Sequence, residues 1–476
     1  MALKVKSEAF VGAFFILFVC ILAVFIDTPA LYTVVSIFFL VVGFAYSIKD
    51  IKNRFALFSF MIGFFVFLLG GYSINFIKTG GFSYFPNSQE TIAHTTRAVC
   101  ISLGCIIAVS ILFHERKFKG YNTVEDNNEN VAFVLPKNYS LFLTVLLIFS
   151  FVCQLIETVV ETMYILSTSY IADTSVVLNR LPSIVQHGAS LYYITLFLYL
   201  ATNPAKKKTL IAIASGAFIA FFTIISGRRG EPISLILAIV YYIFIRNKKG
   251  LYDIVIKKKV IVILIVVLPF FIVFLQQLGA TRVNREFTSE SIEAIENFFE
   301  DQGGSVRIIA NGYDGRERIA QIGGKTYLLG EFRSYLKNNI FAQVLFHTSS
   351  KSRLERALSG DQYSVTYNYL FLSSTSFANG VGGGTTYIAE AYHDGGYLML
   401  LLISIYIAIL LSILDTPKSY ESPIWTGIYI NIMRYIAVLP RGYSFAWLTN
   451  TFAIQNLVLF LVCYLILHNK NNAITR

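Results

Sequence analysis

The sequence predicts an all-α fold: a polytopic integral membrane protein of about 12 transmembrane helices with one long, mostly helical extracytoplasmic loop. Three observations point there. Of 476 residues, 55% are hydrophobic and only 14% are charged, whereas a soluble chain carries nearer a quarter charged residues. Mean hydropathy is +0.62. The charges fall between apolar runs long enough to cross a bilayer core, which takes about 20 helical residues.

In chain order the apolar runs cover residues 9–26, 30–48, 55–77, 92–113, 141–166, 182–202, 209–226, 231–246, 260–280, 392–414, 424–439 and 446–467. The first follows Lys4 and Lys6, so a signal peptide is the competing reading. It ends in Ile26-Asp27-Thr28-Pro29 without a small-residue cleavage site, and is read as a retained helix. The runs at 231–246 and 424–439 are short. Between the fourth and fifth runs, Glu125-Asp126-Asn127-Asn128-Glu129-Asn130 reads as a solvated linker. Residues 281–391 are too polar to span. Stretches 289–301 and 331–346 within them repeat apolar residues at helical spacing, and glycine pairs mark turns, so a small helical cap on the membrane domain is expected. The chain thus divides into helices 1–9 (residues 1–280), the cap (281–391) and helices 10–12 (392–476).

Orientation follows from Lys and Arg. With the N-terminus inside, 21 of the 39 basic residues fall in cytoplasmic segments, 5 in short outward loops and 11 in the long loop. Short loops carry the orientation information, so both termini are expected in the cytoplasm and the cap outside. The net charge of +11 is then explained by topology and anionic lipid, and nucleic acid is not expected as a partner. Cys20, Cys100, Cys105, Cys153 and Cys463 all lie in apolar runs with no CxxC pair, which argues against a disulfide framework or a zinc site.

Three constellations could carry chemistry. Ser226-Gly227-Arg228-Arg229-Gly230-Glu231-Pro232 places two arginines in an outward turn before a helix start. Together they suit an anion site; snorkelling to headgroups is the plainer reading. Leu439-Pro440-Arg441-Gly442-Tyr443 repeats the pattern, with Arg434 two turns earlier inside a span. Arg434 is either functional or paired structurally with Glu157 or Glu161. The glycine run 382–384 leads through Thr385, Thr386 and Tyr387 into Glu390, His393 and Asp394. If helical, those three share one face, either as proton-transfer groups or as polar residues at a helix start. His94 and Arg97, and Glu157 with Glu161, are further polar pairs inside spans. The sequence has no P-loop, no HExxH or Cys/His metal spacing and no DxD pair. No metal and no cofactor is expected.

These features resemble the Wzy-type family of O-antigen and capsular repeat-unit polymerases. The shared features are many spans, one long extracytoplasmic loop, a Gly-Arg turn near mid-chain (Gly227-Arg228-Arg229-Gly230-Glu231) before the aromatic Tyr241-Tyr242-Ile243-Phe244, the glycine run ending in Tyr387-Ile388-Ala389-Glu390, and the late Pro440-Arg441-Gly442 turn. The resemblance implies a glycosyltransferase in the bacterial cytoplasmic membrane. Its donor would be a growing glycan on undecaprenyl pyrophosphate and its acceptor a lipid-linked repeat unit, with a chain-length regulator as a further partner. Arg228, Arg229 and Arg441, with Arg434, would then meet the departing pyrophosphate. Glu390 would take the acceptor proton, with His393 or Asp394 as substitutes. Two other readings stand beside it: an O-antigen ligase, which shares the architecture and charge logic, and a flippase for lipid-linked sugars, which would be expected to show internal repeats and midplane polar sites.

Overall fold

Asp27 and Thr28 make the first turn of the fold. Asp27 takes a left-handed backbone (φ 53), Thr28 caps the next helix through its hydroxyl (Leu31 N to Oγ1, 3.4 Å), and Pro29 sits where its missing N–H costs nothing. Helix α1 (Ser7–Ile26) therefore turns directly into α2 (Pro29–Lys49). The computed structural model describes residues 7–114, 135–167, 175–226, 230–251, 254, 291–322, 326–338, 352–378, 380, 382–415 and 422–468. Among these it is wholly helical, with no strand.

After α2 come α3 (Phe55–Phe64), a π-turn (Phe65–Leu69) and α4 (Gly70–Thr79), which together form one continuous rod, then α5 (Gln89–His114) and α6 (Lys137–Ser167). The short α7 (Ser175–Leu178), the α8 (Ser183–Ser190) and α9 (Tyr192–Ala201) pair, α10 (Lys206–Ile225) and α11 (Gly230–Lys248) follow. The cap residues give α12 (Ser291–Gln302), α13 (Ser305–Asp314), α14 (Arg316–Ile322), α15 (Gly330–Asn338), α16 (Arg353–Leu358), α17 (Tyr363–Phe371) and α18 (Ser374–Ala378). The chain closes with α19 (Tyr387–Asp415), α20 (Pro423–Ile436), a 3-10 turn (Leu439–Arg441), α21 (Ala446–Thr451) and α22 (Ile454–His468).

Nine helices among the described residues are long and apolar enough to cross a membrane. They correspond to the first eight expected runs and to 392–414. The run at 260–280 lies outside the described residues. The last two differ from expectation. Residues 424–439 yield a helix of 14 residues. The run at 446–467 is two helices, because the chain breaks around Phe452. That break is supplied with partners. Asn456 donates to the carbonyls of Asn450 and Thr451, and Asn431 donates to the Thr451 hydroxyl at 3.1 Å.

Helix α5 is the axis of one group of helices, packing against α1, α2 and α19. Helices α6, α8 to α11 and α20 form the other group. Hydroxyls inside the spans fold back on the carbonyl one turn earlier, as Ser36 does to Tyr32 and Ser404 to Leu400, both at 2.7 Å. That satisfies them where no water is present. At the end away from the cap, Asp415 closes α19 by accepting from the Ala56 N–H that opens α3 (2.9 Å) and from His114 Nε2 (3.0 Å). A carboxylate at a helix N-terminus is favoured there.

At the other end the cap helices sit on α4 and α5. Tyr84 donates to the Glu300 carbonyl at 3.1 Å, Tyr313 donates to Glu90 at 2.7 Å, and Thr91 donates to Asp314. The expected cap helices at 289–301 and 331–346 are α12 and α15, the second described only as far as residue 338.

Candidate functional site

The glycine run sets up the start of α19. Gly384 is left-handed (φ +83), and Asn368 of α17 accepts from the Gly383 N–H at 2.8 Å. The Thr386 hydroxyl then accepts from Ala389 N at 3.0 Å, which caps the first turn. Glu390 follows one turn in and is fully buried. Its Oε1 accepts from the Thr385 hydroxyl at 3.0 Å. Its Oε2 accepts from both the N–H (3.1 Å) and the hydroxyl (3.0 Å) of Ser444.

Ser444 ends the late turn Leu439-Pro440-Arg441-Gly442-Tyr443, so two of the three expected constellations are bonded to each other. The turn lies against the π-turn of the α3–α4 rod, and π-turns recur at functional positions. Gly63 makes the approach possible: a Cβ there would stand 1.7 Å from the Ala437 carbonyl oxygen. Arg441 is exposed. Its guanidinium donates to Gln302 at 3.3 Å and sits 5.6 Å from the Phe67 ring of the π-turn.

Arg434, near the end of α20, is 12% exposed and pairs with Glu231 at 3.6 Å. Its guanidinium lies 3.5 Å over the Tyr193 ring. The structural partner expected for Arg434, Glu157 or Glu161, is therefore corrected to Glu231: α11 packs on α20 and carries Glu231 to it. Glu231 is the second residue of α11 and immediately follows the Gly227-to-Gly230 turn. Arg228 and Arg229 themselves lie outside the described residues. Glu231 is thus joined to the stretch of chain, 434–444, that carries Arg441 and Ser444.

His393 and Asp394 take different partners from Glu390. The His393 ring lies beside Gly312, where an added Cβ would stand 3.5 Å from Nε2. The ring packs on Tyr363, with centroids 5.1 Å apart. Asp394 accepts from the N–H groups of Tyr327 (2.6 Å) and Leu328 (2.8 Å), which fixes the loop before α15. Directly after it, Gly395 and Gly396 kink α19, Gly396 with φ +60. His94 and Arg97 are also accounted for. His94 bonds to the Tyr397 hydroxyl at 2.8 Å and stacks on Tyr313, while Arg97 pairs with Asp27 and Tyr32.

No local sequence pattern marks Glu331 or Ser444. Glu331 lies in the first turn of α15 and accepts from Gln362 Nε2 at 2.7 Å. Burial pushes its carboxyl above the usual range, against the opposing pull of Gln362 and Arg356. The Tyr443 hydroxyl, bonded to Ser364, feels both Glu331 and Glu390. Only a cap helix folded back on the late turn brings these groups together, and no local pattern encodes that. Among the described residues, no group of three His, Cys, Asp or Glu side chains is placed to hold a metal ion.

Neither a curated protein nor a solved structure matches the chain. The family model of the O-antigen polysaccharide polymerase Wzy matches it over residues 9–472.

Proposed function

Because the chain belongs to the O-antigen polysaccharide polymerase family, Wzy, we propose that it joins lipid-linked repeat units at the cap end of its helical bundle, on the extracytoplasmic face of the bacterial cytoplasmic membrane. The donor is a growing glycan on undecaprenyl pyrophosphate, and the acceptor is a hydroxyl of a second lipid-linked unit. The acceptor oxygen bonds to the anomeric carbon, the bond from that carbon to the pyrophosphate breaks, and the acceptor proton passes to a base. Negative charge builds on the pyrophosphate, and fixed cations facing it lower the barrier.

The observation that carries this reading is the pair of bonds from Ser444 to Glu390, which fixes the turn bearing the exposed Arg441. Arg441 suits the pyrophosphate, together with Arg228 and Arg229, which precede Glu231 in the sequence. Arg434, largely buried and paired, serves as a positioning residue that holds Glu231 of α11 against α20. Glu390 has no exposed surface and three donors around it, which suits positioning better than proton transfer. The proton is assigned to His393. Its imidazole packs beside Gly312 and Tyr363, and a neutral imidazole keeps a lone pair for a general base. Asp394 is committed to two backbone N–H groups.

The test is reconstitution. Purified protein in nanodiscs, given the lipid-linked repeat unit, should yield a ladder of longer glycans, and Arg441→Ala should shorten or abolish it. Protein that leaves the unit unextended while moving it across a bilayer would overturn the proposal in favour of transport.

A further inference from the structure

Helix α19 doubles back on itself at Gly395 and Gly396. The hydroxyls of Tyr387 and Ser404 both bond to the Ser102 hydroxyl of α5, at 2.6 and 2.9 Å. Along a straight helix Tyr387 and Ser404 would stand about 25 Å apart, far more than two such bonds and a tyrosine side chain span. Residues 387–394 therefore run back beside residues 397–404. The glycine run before them is carried down towards the level of Ser102, midway along α5 (Gln89–His114).

Two other chain reversals reach a similar depth. The rod from Phe55 to Thr79 has 25 residues, about 37 Å at 1.5 Å per residue, and starts at the Asp415 end. Gly63, which backs onto Ala437 at the end of α20, is about 12 Å along it. The late turn that follows packs on the π-turn Phe65–Leu69, at the middle of the rod. From the cap side, α12 descends along α4, from Glu296 paired with Lys78 to Gly303, where an added Cβ would stand 3.2 Å from the Gly71 backbone. The Phe299 ring lies 5.1 Å from that of Phe65. Helix α13 then climbs back along α5 to Asp314 beside Thr91. The bonds Arg441–Gln302 and Glu390–Ser444 join the three reversals.

We propose that these reversals floor a water-filled vestibule, open on the cap side, that reaches about halfway through the membrane. A bilayer core is about 30 Å thick, so the middle of the rod lies well inside it. Irregular backbone at that depth is tolerated only where protein buries it or water meets it. Burial does not account for all of it: Gly382, Gly383 and Arg441 are exposed. Neither exposed peptide groups nor a guanidinium is tolerated facing hydrocarbon. On the function proposed above, the sugars and pyrophosphate enter this vestibule while the prenyl chain stays in lipid. The labelling that tests it needs no turnover, so its outcome is separate from that of the glycan ladder.

The experiment uses the full chain in nanodiscs and methanethiosulfonate ethylsulfonate, a charged thiol reagent that stays in water. Gly442→Cys probes the late turn, where an added Cβ has 3.4 Å to its nearest neighbour. Gln302→Cys, at the tip of the cap hairpin, replaces it if that variant misfolds. Leu402→Cys, two residues before Ser404 and 52% exposed on α19, reports hydrocarbon at the same level. Glu317→Cys, exposed on the cap, reports bulk water. The native cysteines are buried, and the parent chain sets the background. The vestibule probe should react within about tenfold of Glu317→Cys, and Leu402→Cys at least about a hundredfold more slowly than Glu317→Cys. A probe as slow as Leu402→Cys would mean a dry interior and overturn the proposal. Leu402→Cys reacting as fast as the probe would place this level outside the membrane and overturn it as well.

Discussion

Ser444 donates twice to one oxygen of Glu390, from its N–H at 3.1 Å and its hydroxyl at 3.0 Å, and so ties the start of α19 to a turn 54 residues later. A glutamine at position 390 keeps an oxygen for both bonds, whereas an alanine keeps none. Glu390→Gln should therefore retain long surface glycans within a few-fold of the parent, and Glu390→Ala should lose them. Ser444→Ala removes one of the two bonds, worth about 0.5–1.5 kcal/mol, and should fall between. Glycan length on gels, at matched expression, checks the series. Complete loss in Glu390→Gln with a normally folded protein would return the proton-transfer role to Glu390.

Arg434 and Glu231 give a second test. Removing one partner of a largely buried pair leaves the other charge unmatched, at a cost of about 3–5 kcal/mol where burial is complete. Glu231 is 25% exposed, so a smaller cost is expected. Arg434→Met alone should lower the thermal midpoint clearly. Adding Glu231→Gln to it should recover at least about 1 kcal/mol, because the stranded carboxylate is gone. Arg434→Lys should restore neither stability nor activity fully, since a lysine lacks the planar face that lies on Tyr193. A double variant no more stable than Arg434→Met would show that the pair is not coupled.

The spans were legible in the sequence because crossing a bilayer demands a long apolar run. The run at 141–166 is α6, Lys137–Ser167, and 392–414 falls inside α19. The break at Phe452 was not legible. Its freed carbonyls are met by Asn456, and hydropathy cannot distinguish an asparagine that supports a break from one that merely interrupts a run. The three motifs could be read off as composition and spacing. Their meeting could not, because Glu390–Ser444 and Glu231–Arg434 depend on which helices pack together. Glu231 stood in the Gly-Arg turn from the start, yet its role became visible only with α20 beside α11.

Gly63 sets a steric limit that substitution can probe. A Cβ at this position meets the backbone of Ala437, which cannot swing aside as a flexible side chain could. Gly63→Ala should displace the late turn and with it Arg441, so expression or glycan polymerisation should collapse. Gly12→Ala in α1 is the matched control. Nothing lies within 4 Å of a Cβ there, and a helical glycine replaced by alanine gains about 0.5–1 kcal/mol. Quantitative blotting and glycan gels on both variants separate a local steric effect from general intolerance of added bulk. Normal polymerisation in Gly63→Ala would mean that the turn is free to relocate.

Glu331 links pH to the stability of the cap. Its carboxyl is raised by burial, with the hydrogen bond from Gln362 and the Arg356 guanidinium opposing the rise. An acid whose folded value is raised favours the protonated folded state. Its contribution is therefore complete below the ordinary carboxyl range, near pH 4, and is lost as pH climbs through the raised folded value. The parent should thus show a lower thermal midpoint at pH 8 than at pH 5. Glu331→Gln, which keeps an acceptor for Gln362 without a titrating proton, should flatten that difference while matching the parent at low pH. The comparison is a pair of melting curves in nanodiscs at each pH. An unchanged slope in Glu331→Gln would assign the pH dependence to another group.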